Sequence, residues 1–155
     1  MKLLRATDQE RVYTLRPSEL RMLLLVLSSF PVLTSARAIS KSGDSEQLAD
    51  AQKLLDEAMS ERRQTMRQEL ETWLKSPDRF HQAGNHFEWR VENDHREWLL
   101  QIVNDVRVGS WVELGSPADL DAAQQQVGEE SARHLALMEL AGMFQSVLLM
   151  DEPND

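Results

Sequence analysis

Two prolines, Pro17 and Pro31, bracket the most apolar stretch of this chain. Leu20, Leu23, Leu24 and Leu27 make one stripe at helical spacing, and Met22, Leu25 and Val26 fill the other faces. Proline at the first helical position with Glu19 in the first turn is a start signal, and Pro31 ends or kinks the helix. The spacing predicts a helix over about 17–30 that is apolar nearly all round, as in the centre of a bundle. The same stretch imitates a secretion signal, because Arg21 precedes the apolar run and Ala36-Arg37-Ala38 has the form of a cleavage site. Asp8, Glu10 and Glu19 upstream do not suit a basic leader, and Met22 to Leu27 is far too short to span a membrane. A core helix in a cytoplasmic protein is the expectation.

Lys2 to Ala6 and Arg11 to Leu15 flank Thr7-Asp8-Gln9-Glu10, and their period-2 alternation predicts a short hairpin over 1–16. Asp44-Ser45-Glu46-Gln47 fits a capping box opening a second helix that runs to Trp73 or Leu74. Its stripe is Leu48, Ala51, Leu55, Ala58, Met66, Leu70 and Trp73, and its length of about 45 Å lets it project past a bundle. Met59 and Met66 then offer a seam for a homodimer. Residues 79–91 read as irregular, with Gly84-Asn85 as the turn. A third helix comes next over about 92–112, stopped by Gly115, and a short polar helix opens at Ser116-Pro117-Ala118-Asp119. The last helix runs from about Glu129 to Met150 on Leu137, Leu140, Ala141, Phe144, Val147 and Leu148, before a tail over 151–155. The fold class expected is mainly α, one domain over 1–155: a four-to-five-helix bundle over 17–150 with a short N-terminal β-hairpin.

Charge and composition narrow the function. The chain has 155 residues, no cysteine and a net charge of −9. Thiol chemistry and disulfides are excluded, and a dedicated nucleic-acid binder is disfavoured. Residues 1–43 nevertheless carry seven basic and three acidic side chains, a net +4, which leaves −13 on the rest. Such a dipole can pair two copies head to tail or bring Arg5, Arg11 and Arg16 to DNA, but the expectation is that the basic start packs beside the acidic rest of the same monomer.

The window from Trp73 to Trp111 holds all four tryptophans and three of the four histidines. It reads either as core packing, with Trp89 and Trp111 covering the bundle ends, or as a ligand or protein site. Glu92-x-x-His95 has the spacing of a di-iron half-site, but the second half is missing from the sequence, so no metal is expected. Asn104, Asp105 and Arg107 interrupt the apolar third helix. A buried hydrogen bond from Asn104 and a pairing of Arg107 with a carboxylate on the second helix are the structural expectations. Trp89, His95, Asn104, Asp105, Arg107 and Trp111 are the candidate interaction residues. No phosphate loop, dinucleotide loop, nucleophile elbow or H-E-x-x-H motif is present, so neither a catalytic site nor a cofactor is expected.

Three stretches resemble a bacterial family of small helical domains of unknown function, encoded in some bacteria near the adaptor of the Clp protease. Trp98-Leu99-Leu100-Gln101-Ile102-Val103-Asn104-Asp105-Val106-Arg107-Val108 is similar to that family's W-L-x-x-L-N-D-L-R-L helix, with a glycine soon after at Gly109 or Gly115. Leu137 to Leu148 resembles its closing helix, and Val12 to Leu20 its strand-to-helix passage. The resemblance covers roughly half the chain and implies a helical, cytosolic protein; regulatory roles have been suggested for the family, which is otherwise poorly characterised. The function expected is a non-enzymatic domain that binds an unidentified protein partner. The alternatives are a DNA-associated regulator using the basic hairpin, and a small-molecule or metal-binding protein using the 73–111 window.

Overall fold

The structure, a computed structural model, describes residues 1–33, 46–126 and 128–150, with the backbone alone for 46–48. Nine elements succeed one another among these residues: β1 (Lys2–Ala6), β2 (Glu10–Leu15), α1 (Pro17–Ser28), α2 (Glu46–Leu74), β3 (Phe80–Ala83), β4 (His86–Glu92), α3 (Asn93–Glu113), α4 (Leu120–Gln124) and α5 (Glu129–Leu148). The mainly helical expectation holds, and the N-terminal hairpin is present. Its turn lacks glycine because Thr7 closes it: the Thr7 hydroxyl accepts from the Gln9 and Glu10 amides at 3.3 and 3.1 Å.

The irregular reading of 79–91 is overturned. This stretch forms a second hairpin, β3–β4, turning at Gly84 with φ +65°, and β4 pairs with β2. The result is a four-stranded antiparallel sheet in the order β1-β2-β4-β3, not a lone hairpin beside a bundle. Along β4, Trp89 and Val91 are buried and Arg90 between them is exposed, the alternation a half-buried strand requires. Tyr13, Trp89 and Phe80 stand directly opposite one another on β2, β4 and β3, so one cross-strand aromatic ladder ties both hairpins.

Helices cover one side of this sheet. α3 buries Leu99, Ile102, Val103 and Val106, and α5 buries Leu137, Ala141, Phe144 and Leu148. Arg96 at the start of α3 donates to the Leu148 carbonyl at the end of α5 (2.8 Å), so the two run antiparallel. Asn93 fastens α3 to the first hairpin: its amide donates to the Gln9 carbonyl and its side chain to the Thr7 carbonyl, both at 2.9 Å.

Two expectations about the helices change. α1 is not central: Leu23, Val26 and Leu27 are buried, but Met22, Leu24 and Leu25 remain 39–49% exposed. An all-round apolar helix needs partners on every side, and here the sheet, α3 and α5 occupy only one. In α2 the stripe is used only near its C-terminal end, where Leu70 is buried and Met66 and Trp73 are half-buried. Arg67 locks that end by donating to the Ser28 and Phe30 carbonyls at 2.6 and 2.5 Å, capping α1. Ala51, Leu55 and Ala58 of the same stripe are exposed. The expected capping box over 44–47 and the loop beyond residue 33 lie outside the described side chains.

Candidate functional site

The aromatic window separates into two unlike places. Around the sheet, Trp89 is fully buried and Trp73 meets it edge-on at 6.1 Å, with Trp98 edge-on to Trp73 at 5.7 Å. Trp89 therefore lies inside the core and does not cover a bundle end. His95 packs its ring against Trp73 and Trp98, and its Nδ1 lies 3.1 Å from Asp94.

A residue without any motif organises this cluster. Arg79 is 5% exposed and lays its guanidinium over the Trp73 ring at 3.7 Å. Its Nη1 donates to the Arg90 carbonyl (2.6 Å) and to Glu92 (2.7 Å), and Nη2 reaches the second Glu92 oxygen at 3.1 Å. The Trp73 indole N–H also donates to Glu92, at 3.2 Å. Burial pushes the Glu92 carboxyl up, but the Arg79 hydrogen bonds, its own backbone amide, the Arg79 charge and the Trp73 indole outweigh it and hold it at about 2. Glu92 is thus committed to Arg79 instead of a metal, and among the described residues no group of three or more His, Asp and Glu could hold an ion. Trp89 belongs to the packing, and His95, its side chain 42% exposed, lies at the edge of that cluster, away from the other candidates.

On α3, the three polar candidates go three ways. Asn104 accepts a hydrogen bond from the Gln145 side chain at 3.4 Å, a link between helices and not to a backbone group. Asp105, not Arg107, makes the ion pair to α2, through Arg63 Nε at 3.2 Å. The expected charge order is therefore inverted, with the base on α2 and the acid on α3. Burial raises the Asp105 carboxyl, and Arg63 and the Val32 amide oppose that rise only in part. Arg107 lies about 200° around the helix from Asp105 and so faces away from α2.

There Arg107 meets Trp111. Together with Val108 they form the α3 wall of a cleft of about 470 Å³, completed by Leu120 of α4 and by Met138, Glu139 and Gly142 of α5. Local chain geometry builds it. α3 stops at Leu114, Gly115 (φ +81°) and Ser116 (φ +52°) reverse the chain, and Asp119 caps α4 by accepting the Ala122 amide at 2.8 Å. Gln126 then donates to the Leu114 carbonyl at 2.6 Å, tying the far end of α4 back to α3. The floor is open because position 142 lacks a side chain: a Cβ there would touch only Arg107 Cδ, at 3.8 Å.

The lining is apolar except for one guanidinium and one carboxylate. Among the described residues the side chains of Arg107 and Glu139 make neither ion pair nor hydrogen bond. Such a cleft can hold an apolar group and meet opposite charges at its margins, but it contains no nucleophile–base pair. Of the six sequence candidates it gathers Arg107 and Trp111. It adds Leu120, Met138, Glu139 and Gly142, which only the meeting of α3, α4 and α5 brings together. Searches against protein-family models, curated proteins and solved structures return no match, so function has to be argued from this geometry.

Proposed function

We propose that this chain is a non-enzymatic protein-binding domain, a regulatory or adaptor component of the cytosol, whose binding surface is the α3–α4–α5 cleft. One observation carries the reading: an apolar cleft of about 470 Å³ whose two charged margins, Arg107 and Glu139, are unpaired among the described residues. A buried charge has to find a partner, as Arg79 does in Glu92, whereas Arg107 and Glu139 are exposed and stay hydrated until something covers the cleft. Unpaired opposite charges beside an exposed apolar surface suit a partner that supplies both the apolar side chain and the counter-charges. The regulatory and cytosolic parts of this reading rest on the sequence resemblance alone, which no family model matches.

Contact with DNA through the first hairpin has less support. Arg5 pairs with Glu10, Arg16 with Glu19, and Arg11 donates to Asn93, so all three guanidiniums are engaged. A small apolar ligand is the second reading, favoured by a volume within the range of ligand pockets.

Placing a photo-crosslinking residue at Leu120 in the native cell tests the protein-binding reading. The expected result is a crosslinked species that Val108→Glu abolishes and Met22→Glu, on the exposed side of α1, leaves intact. Crosslinks that ignore Val108→Glu would overturn it. An absence of protein crosslinks, together with a ligand-induced rise in melting temperature that Val108→Glu removes, would transfer the cleft to the small-molecule reading.

A further inference from the structure

The geometry points to a second copy of this chain as an occupant of the cleft, presented by the exposed N-terminal half of α2; this rests on reading the cleft as a protein-binding surface. Among the described residues, the body of the molecule holds α2 through Arg63, Met66, Arg67, Leu70, Trp73 and Leu74. N-terminal to these, residues 49–62 are exposed almost throughout, including Leu54 at 67% and Leu55 at 55%. The apolar side chains of this half gain by leaving solvent.

What this half displays complements the cleft in three respects. Leu54 and Leu55 supply apolar side chains for the space between Val108, Trp111 and Met138. Ala51 and Ala58 sit on the same face within one turn of the leucines, and small residues there let the helix approach the bare backbone at Gly142. Glu57 and Glu61 edge the apolar strip and Arg62 ends it. An acidic edge fits Arg107, and a single base fits Glu139. Within one molecule α2 runs along the opposite side of α3, so the cleft receives this helix from another copy. The interface concerned is that of the exposed α2 half, with Leu54 and Leu55 in place of the Met59–Met66 seam.

The absence of cysteine from the chain allows a direct test. Leu54→Cys and Val108→Cys are made in separate chains, at exposed positions that tolerate the change. The two proteins are mixed and oxidised, and disulfide-linked dimers are quantified. The expected result is L54C–V108C heterodimer several-fold above the twofold excess over each homodimer that random pairing of equal amounts would give. Arg107→Glu in the V108C chain lowers that yield about tenfold, and Glu57→Arg with Glu61→Arg in the L54C chain restores it. Heterodimer at no more than the statistical twofold over each homodimer, or a monomer by sedimentation at every concentration, overturns the proposal. The Leu120 crosslink keeps the two readings apart: crosslinks to other proteins that Val108→Glu abolishes leave the cleft a binding surface even if copies do not associate.

Discussion

The two ends of α3 put the same residue types to opposite uses. Near its start, Trp73 packs edge-on against Trp89 and Trp98 and also meets Arg79 and Glu92, so both charges are bound to each other and to the Trp73 indole. Near its finish, Trp111 stands beside Arg107 and Glu139, and these two charges are bound to no other described residue. A tryptophan or an arginine by itself therefore says little about function. What separates the two ends is whether the neighbouring charges are paired within the fold, as Arg79 and Glu92 are, or left exposed to water, as Arg107 and Glu139 are.

The largest effect expected from this contrast is on stability. Trp89→Ala removes a fully buried indole that contacts Tyr13, Phe80 and Trp73, and should cost about 4 kcal/mol in urea unfolding. Trp111→Ala, half-buried at the cleft wall, should cost about 1 kcal/mol while abolishing the Leu120 crosslink. Equal losses of stability would erase the distinction between the two ends.

The sequence displays much of this and hides the rest for physical reasons. Helix ends are legible, because Pro17, Gly115 and the polar stretch before Glu129 act locally, and all five helices fall within a few residues of expectation. The first hairpin is legible from alternation. The second carries the same signal at Phe87, Trp89 and Val91, with Glu88, Arg90 and Glu92 between, but its partner Phe80–Ala83 has no pattern of its own and becomes a strand only by pairing. Arg79 is invisible because nothing local marks an arginine that will be buried. The cleft is half legible: Arg107 and Trp111 stand out on α3, whereas Gly142 and Met138 matter only through their place opposite them.

Two helical glycines sharpen the contrast further. A Cβ at Gly109 would lie 2.8 Å from Val32 Cβ, a contact with a branch point that cannot rotate away. Gly109→Ala should therefore destabilise by about 2 kcal/mol despite the better helix former. At Gly142 the added methyl meets only Arg107 Cδ in ordinary contact, so Gly142→Ala should stabilise by about 0.5–1 kcal/mol. It should also shallow the cleft and weaken the crosslink. A stabilised variant with weaker binding is the mark of a residue kept for the site; a destabilised one would mean that Gly142 serves packing, as Gly109 does.

The smallest effect concerns pH. Glu92 titrates at about 2 in the fold against 4.5 ordinarily, so its contribution to stability is present above 4.5 and is lost as pH falls from there towards 2. Glu19 behaves alike: burial raises it, but hydrogen bonds from the Arg16 side chain, the N-terminal amine and the Arg16 amide bring it to about 2. Asp105 acts in the other direction, since burial raises its carboxyl and its protonation as pH falls favours the folded state. Glu92→Gln leaves both of these in place and isolates the Arg79 pair. Because Glu92 is nearly half exposed and screened, the variant should lie less than about 1 kcal/mol below the parent near neutrality. The two stability curves should then converge on acidification below 4.5. Curves that stay parallel would mean that Arg79 is held by the Trp73 ring and by the Trp73 and Arg90 carbonyls. Charge pairing would then not be what distinguishes the structural end of α3 from the end that binds.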